Sequence, residues 1–402
     1  MDKKNKEEKI NEIIERGIIQ EVIPDKEEFK KRLMSDKLRI YIGADPTSTA
    51  LHLSHAKNYM LLEEFRQLGH EVIVLFGDFT ARIGDPTDRD SARKQLSGEE
   101  VNANVKDWIK QIKPLMDFDA KENPPRIMYN SKWLADLSME DVVNLASNIT
   151  VQRMLERDMF EKRIKEEKPI YIHEFMYPLM QGYDSVAMDV DVELCGTDQI
   201  FNALVGRTLL NRYNQKDKMI AAVNLMENPK TGELMSKSKG TGVFLDSTPF
   251  DMYGSIMAQP DEMIEILLIN NTRIPLKEVE KILREKNPRD AKMATAWEIT
   301  RIFHGEDKAN EAQGQFVKLV QNKEAAENVP EVKAIRSSMV LFDLLRQCLE
   351  KKVSNSEIKR LIGQNSVKID GELKNDPSEE INIPEKGVLV KVGKKKWFKV
   401  VL

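Results

Sequence analysis

An α/β fold with a doubly wound, largely parallel sheet is predicted for this chain, and three observations carry the prediction. Short apolar runs alternate with helical patterns through the first two-thirds of the 402 residues. The first clear run is followed by a turn of small residues that opens a helix, the arrangement that places a ligand at strand ends. After about residue 245 the strand signals fade and helical patterns continue alone.

The elements read in order as follows. "MDKKNKEEKINEIIERG" is charged and amphipathic, part of a helical extension over 1–37, and lacks the apolar core of a signal peptide. "LRIYIG" (38–43) reads as a buried strand, "EVIVLFGD" (71–78) as a second and "RIMYN" (126–130) as a third. "VAMDVDVELCG" (186–196) alternates like a strand, and "KMIAAVNL" (218–225) is another. Helical stretches are expected at 54–68, 99–117, 138–164, 173–185 and 197–213. Beyond 245, "DEMIEILLINNTRIPLKEVEKILREK" and "ATAWEITRIFHG" read as helices, followed by a polar helix and linker. The end returns to an α+β pattern: two short helices around 340–362, then strands in "SVKIDGE" and "GVLVKVGKKKWFKVVL". The expected domains are 1–235, 236–330 and 337–402.

Composition narrows the function classes. No run of about 18 apolar residues exists, so no membrane span is expected. The two cysteines, Cys195 and Cys348, lie far apart with no metal-ligand spacing, which fits a reducing cytoplasm. The net charge of −4 argues against a whole-chain nucleic-acid binder, yet from Ser337 onward there are 13 Lys and Arg against 9 Asp and Glu. That basic excess gathers in "KVGKKKWFKVVL", which reads either as a lysine-protected edge strand or as a phosphate-contacting surface.

Two stretches carry chemistry. "YIGADPTSTALHLSH" (41–55) follows the first strand and opens a helix, where unpaired N–H groups favour an anion. His52 and His55 can donate hydrogen bonds to a phosphate there. An ordinary helix-terminal pair is the alternative, and zinc lacks both a third ligand and the H-E-x-x-H spacing. "GELMSKSKGTG" (232–242) is a Gly-bounded loop in which Lys237 and Lys239 can follow a moving polyphosphate, since lysine is a point charge on a flexible stem. Each stretch alone is weak; together they are specific.

Together they resemble a class I aminoacyl-tRNA synthetase, with H-x-x-H at 52–55 and L-M-S-K-S at 234–238 standing for the two signatures. More narrowly the chain looks like a bacterial-type tyrosyl-tRNA synthetase, on "YIGADPT" (41–47), "GDFTARIGDPT" (77–87), "YPLMQGYD" (177–184) and "CGTDQIFN" (195–202). The segment "SNSEIKRLIGQNSVKIDGE" (354–372) is similar to an S4-type RNA-binding domain. The resemblance implies a Rossmann-like catalytic domain, an α-helical anticodon-side domain and a small α+β S4-like domain. It also implies ATP as substrate with Mg²⁺ on its phosphates, L-tyrosine and tRNA(Tyr) as partners, and a cytoplasmic homodimer with no membrane association. The dimer region is expected within 100–165.

Residue roles follow from the same resemblance. Tyr41 and Asp184 face the phenol hydroxyl; Asp85, Tyr177 and Gln181 hold the α-ammonium, with Thr80 nearby. Tyr177, Gln181 and Asp184 also fall at i, i+4 and i+7, one stripe of a helix and poor core material without partners. His52, His55, Lys237 and Thr47 are the expected catalytic groups. Gly43, Asp45, Ser54, Asp198, Gln199, Met235, Ser236 and Ser238 are expected on the ATP and adenylate side. Two positions depart from the synthetase pattern, Ser54 and Leu234 replacing a glycine and a lysine of the two signatures, and as a minor deviation Asn365-Ser366 stands where the S4 pattern often has glycine. Two other readings follow: an RNA-binding protein with decayed catalysis, and the sister ligase for tryptophan, whose indole nitrogen only donates.

Overall fold

The structure is a computed structural model and describes residues 2–84, 96–235, 242–318, 330–349, 353–364, 366–370, 372–384, 387–393 and 396–402, without the side chains of Asp158 and Lys396. The chain forms two compact units, residues 1–313 and 314–402.

The first unit is built on a six-stranded sheet of β1 (Ile19–Ile23), β2 (Arg39–Ala44), β3 (Glu71–Phe76), β4 (Arg126–Tyr129), β5 (Val192–Gly196) and β6 (Met219–Val223). Their order is β1-β6-β5-β2-β3-β4, with β1 antiparallel at the edge and the other neighbours parallel. The parallel strands read as near-continuous apolar runs because both faces are covered; every residue of β6 is buried. The chain winds outward from β2 to β4, then returns to place β5 on the other side of β2. This reversal opens a crevice beyond the carboxyl ends of β2 and β5.

Helices α1 (Lys3–Glu15) and α2 (Lys26–Ser35) precede β2, α3 (Leu53–Gln67) links β2 to β3, and α4 (Gly98–Ile112) lies between β3 and β4. Between β4 and β5 run α5 (Ser131–Leu134), α6 (Met139–Ala146), α7 (Val151–Leu155), α8 (Asp158–Lys165) and α9 (Ile172–Met188); α10 (Ile200–Asn214) leads to β6. Helices α9 and α10 approach closely through glycines: a Cβ on Gly182 would lie 3.2 Å from the Gly206 Cα and 2.8 Å from Leu209 Cδ1. Five helices complete the series, α11 (Pro249–Met257), α12 (Met263–Asn271), α13 (Leu276–Glu285), α14 (Pro288–His304) and α15 (Glu306–Phe316).

The structure corrects four local readings. The stretch 138–164 is three helices rather than one, started separately by Ser138, Thr150 and Arg157. The helix expected to 117 stops at Ile112. The alternation in "VAMDVDVELCG" spans a helix end and a strand: α9 runs to Met188, Asp189 takes a left-handed conformation at φ 49°, and β5 begins only at Val192. Strand β1 lies within the stretch read as a helical extension.

The second unit contains β7 (Glu331–Lys333), β8 (Ser338–Val340), α16 (Leu341–Cys348), α17 (Asn355–Gly363), β9 (Val367–Ile369), β10 (Glu372–Lys374), β11 (Glu380–Asn382), β12 (Val388–Val392) and β13 (Lys396–Val401). It has its own core, in which Leu344, Leu345 and Ile362 of the two helices meet Val367, Val390 and Val400 of the sheet.

Candidate active site

The crevice at the switch point is a cleft of about 320 Å³. Its floor is the end of β2, its walls the end of β5, the start of the β3 loop, α9 and the first turns of α3. Tyr41, Gly43, Asp45, Thr47, His55, Thr80, Tyr177, Gln181, Asp184, Asp198 and Gln199 all line it. His52, Ser54 and Met235 are described but are not among the lining residues. Asp85, Ser236, Lys237, Ser238, Lys239 and Asn365 lie outside the described residues.

One end of the cleft is polar and closed. Asp184 is buried and accepts from Trp133 Nε1 at 2.7 Å and from Asn130 Nδ2 at 3.3 Å. Burial raises its pKa well above the carboxylate range, and those two donors oppose the rise. The Tyr41 hydroxyl lies 3.0 Å from Ser185 Oγ, and burial raises its pKa well above the usual phenol value. The rest of the α9 stripe is also partnered. Tyr177 donates its hydroxyl hydrogen to Asp45 Oδ2 at 2.9 Å, and Gln181 Nε2 donates to Glu193 Oε1 at 3.0 Å. Thr80 donates to the other Asp45 oxygen at 2.7 Å. Gly77 makes that contact spatially feasible, since a Cβ there would lie 1.9 Å from Asp45 Oδ1.

The other end is the start of α3. His52 stands at its N-cap and His55 three residues on, with ring centroids 4.1 Å apart. The backbone N–H of His52 donates to His55 Nδ1 at 3.2 Å. That bond leaves the proton of a neutral His55 on Nε2, so this ring nitrogen is a donor. Burial pushes the His52 pKa down to about 4 and, with the neighbouring His52, that of His55 to about 3. Both imidazoles are therefore neutral at pH 7 and offer N–H groups without a charge of their own. Lys57, two residues on from His55, is buried with its ammonium on Asn58 Oδ1 at 3.1 Å, and burial brings its pKa down to about 7 while Asp198 opposes the fall.

Sequence reasoning missed the groups that shape the loop between β2 and α3. On α4, Asn104 Nδ2 donates to the Pro46 carbonyl (2.9 Å), Trp108 Nε1 to that of Ser48 (2.6 Å) and Gln111 Nε2 to that of Thr49 (2.8 Å). Gln111 Oε1 in turn accepts from the Leu51 N–H at 2.8 Å. The segment after the lysine loop is tied to the same place, with Leu53 N–H on the Val243 carbonyl at 3.0 Å and Leu245 N–H on that of Leu51 at 2.9 Å. Missed as well were Glu193 and Lys218, a buried ion pair under the closed end. Their only sequence signal was a charge inside one apolar run and another at the head of a second.

None of the described residues lining the cleft is a lysine or arginine, whereas Asp45, Asp184, Glu193 and Asp198 all line it. Such a site favours an ammonium and sugar hydroxyls at its walls and neutral donors toward an anion at the helix start. A doubly wound sheet with this cleft at its switch point defines a nucleotide-binding type of α/β protein. Residues 34–321 match the family of class I tRNA synthetases for tryptophan and tyrosine (W and Y), and the chain belongs to it. It is 43% identical to the tyrosine–tRNA ligase of Carboxydothermus hydrogenoformans, over 97% of both chains. Against that of Thermotoga maritima it is 42% identical over 96% of both. Among solved structures, a C-terminally truncated mitochondrial tyrosyl-tRNA synthetase of Aspergillus nidulans superposes with a TM-score of 0.67 at 23% identity, covering 79% of this chain and 99% of its own. The tyrosyl-tRNA synthetase of Archaeoglobus fulgidus complexed with L-tyrosine gives 0.59 at 20% identity, covering 78% and 100%. At that identity the likeness is one of fold.

Proposed function

We propose that this chain is a tyrosine–tRNA ligase, an ATP-dependent enzyme that forms tyrosyl-adenylate and then tyrosyl-tRNA. The observation that carries the reading is similarity at about 40% identity, over nearly the full chain, to tyrosine–tRNA ligases. The tryptophan ligase and the decayed enzyme are not favoured.

In the cleft, tyrosine enters with its phenol toward Tyr41 and Asp184. Tyr177, Gln181 and Asp85 take its α-ammonium, with Thr80 and Asp45 behind them. ATP lies over the start of α3, its ribose toward Asp198 and Gln199 and its phosphates toward Thr47, His52 and His55, with Gly43 letting the backbone approach. The tyrosine carboxylate oxygen bonds to the α-phosphorus, and the bond from that phosphorus to the pyrophosphate oxygen breaks. No protein nucleophile is required: the site positions the two substrates and supplies hydrogen-bond donors where charge grows. His55 contributes a neutral N–H, and Lys237, with Met235, Ser236 and Ser238 of its loop, follows the departing pyrophosphate. Magnesium enters with ATP as part of the substrate, held by phosphate oxygens; among the described residues no three acidic, His or Cys side chains gather to hold a metal. The terminal adenosine hydroxyl of tRNA(Tyr) then attacks the tyrosyl carbonyl and AMP leaves.

Two surface features support the partners. Met139, Val143, Val151, Ile164 and Ile172 are large apolar side chains between 51% and 78% exposed, all within 139–172. Such a concentration suits a second copy of the chain. In the second unit, Lys391 lies 4.8 Å over the Trp397 ring, a cation–aromatic pair suited to RNA, in keeping with an S4-like role. Both cysteines are free thiols, as in a cytoplasmic protein, and no helix among the described residues is long and apolar enough to cross a membrane.

The test is tyrosine-dependent exchange of labelled pyrophosphate into ATP. Exchange with tyrosine far above that with tryptophan or phenylalanine is expected. His55→Ala and Lys237→Ala should each lower kcat by roughly 100-fold, the scale of one lost transition-state donor. Folded protein that binds tRNA yet exchanges with no amino acid would overturn the reading and make Ser54 and Leu234 marks of a lost activity.

A further inference from the structure

We propose that Lys218 is a positioning residue that acts through Ser185 on Tyr41, fixing the Tyr41 hydroxyl as a hydrogen-bond donor into the cleft and so selecting a ring substituent that accepts as well as donates. The inference rests on the reading of this cleft as a tyrosine site and names how its closed end tells ring substituents apart.

Lys218, immediately before β6, is one of the most deeply buried side chains in the molecule. Its ammonium donates to Glu193 Oε2 and to Ser185 Oγ, the latter at 2.7 Å. Glu193 neutralises it and also accepts from Gln181, whose own carbonyl oxygen accepts from Asn202 Nδ2 at 2.9 Å. The niche is shaped for this ammonium. A Cβ on Gly206 of α10 would lie 2.6 Å from Lys218 Nζ and 3.1 Å from Ser185 Oγ, so only a glycine leaves the space as it stands. Burying an ion pair is costly and does not by itself stabilise a fold relative to apolar packing. Its placement one hydrogen bond behind the cleft points to a role in the site.

The chemistry runs in one direction. An ammonium only donates, so Ser185 Oγ accepts from it and keeps its own hydrogen. Donation from a cation makes that hydroxyl a stronger donor and a weaker acceptor. Ser185 therefore donates to Tyr41 Oη, 3.0 Å away. The nearby Glu193, which raises the Tyr41 pKa, already accepts from Lys218 and Gln181 on its two oxygens, so the Tyr41 hydrogen is available to the cleft. Beside it, Asp184 already holds two donors on its oxygens and supplies the acceptor. A phenol hydroxyl satisfies both, giving its hydrogen to Asp184 and accepting from Tyr41. A donor-only group leaves the Tyr41 hydrogen unpaired, and a bare ring leaves it unpaired and also gives Asp184 no further donor, which costs more than a lost favourable contact.

The test is pyrophosphate exchange by the full-length chain and by Ser185→Ala and Gly206→Ala, the second of which displaces the ammonium while keeping every polar group. Each variant should raise the KM for tyrosine about tenfold with kcat little changed, as for a contact equal in ground and transition state. The weak exchange with phenylalanine should stay unchanged, so selectivity also falls about tenfold. A merely structural role would lower tyrosine and phenylalanine in parallel, and that result, or an unchanged tyrosine KM, overturns the proposal. Should both variants fail to fold, the unaltered protein still decides. 4-Aminophenylalanine, whose amine donates well and accepts poorly, should exchange at least about tenfold less efficiently than tyrosine, and equal efficiency overturns the relay. Absence of tyrosine exchange in the unaltered protein would instead remove the function on which the proposal rests.

Discussion

His52, His55 and His70 are held neutral by burial, with pKa values of about 4, 3 and 4. An unfolded histidine titrates near 6.5, so between about pH 6.5 and pH 4 the unfolded chain binds protons that the folded chain refuses. Their contribution to stability is whole above pH 6.5 and is lost as pH falls toward the folded values. Thermal denaturation should therefore show Tm falling over that window. His70→Gln, which keeps an acceptor for the Leu38 N–H that His70 Nδ1 now receives at 3.2 Å, should flatten the slope by up to about one proton. An unchanged slope would mean that His70 is charged in the folded state. The histidine pair was legible in the sequence as a pattern of residue types after a strand. Its neutrality was not, because segments distant in sequence pack against the pair: Trp108 of α4 lies 6.3 Å from the His55 ring, and Phe244 bridges to His52. Asp184 and Tyr41 were legible in the same way, whereas Ser185 and Lys218 were not: a serine in a helix and a lysine before a strand read as surface until packing encloses them.

Helix α4 acts as a clamp on the loop between β2 and α3, through bonds from Asn104, Trp108 and Gln111 to four backbone groups between Pro46 and Leu51. Gln111 alone satisfies one buried N–H and one carbonyl. Gln111→Leu keeps the volume roughly constant but strands the buried Leu51 N–H, at a cost of about 2 kcal/mol. Denaturant unfolding should register that loss. Because the loop sets the start of α3, the KM for ATP should rise several-fold while that for tyrosine holds; equal rises in both would place the clamp's effect elsewhere. The elements of the sheet were largely readable, since β2, β3 and β6 are apolar runs of strand length that nothing else in the chain competes with. The segment 186–196 misled because its alternation continues across the α9 end at Asp189, where a left-handed residue rather than a glycine makes the turn. The clamp itself escaped notice because amphipathicity reports that one face of α4 is buried, not that its polar members are aimed at a particular loop.

The division of the whole molecule places every described residue of the cleft in residues 1–313 and leaves residues 314–402 with a core of their own. Charge divides along similar lines: the last 66 residues carry a net +4 within a chain of net −4, so the remainder is acidic. An acidic catalytic unit repels a polyanion at long range, and a basic appendage offsets that repulsion. Adenylate formation needs only small substrates and the first unit, whereas charging requires RNA to be held long enough for transfer. A chain ending after residue 318 should thus keep tyrosine-dependent pyrophosphate exchange within about threefold of the full-length rate, since no cleft residue is removed. Its tRNA charging should fall by roughly 100-fold or more, the scale on which a second tethered contact adds to a first. The loss should also shrink as salt is lowered, because phosphate contacts in the first unit then carry more of the binding. Exchange and charging falling together would instead show that residues 314–402 support the catalytic unit itself, and the basic surface around Trp397 would lose its reading as an RNA contact.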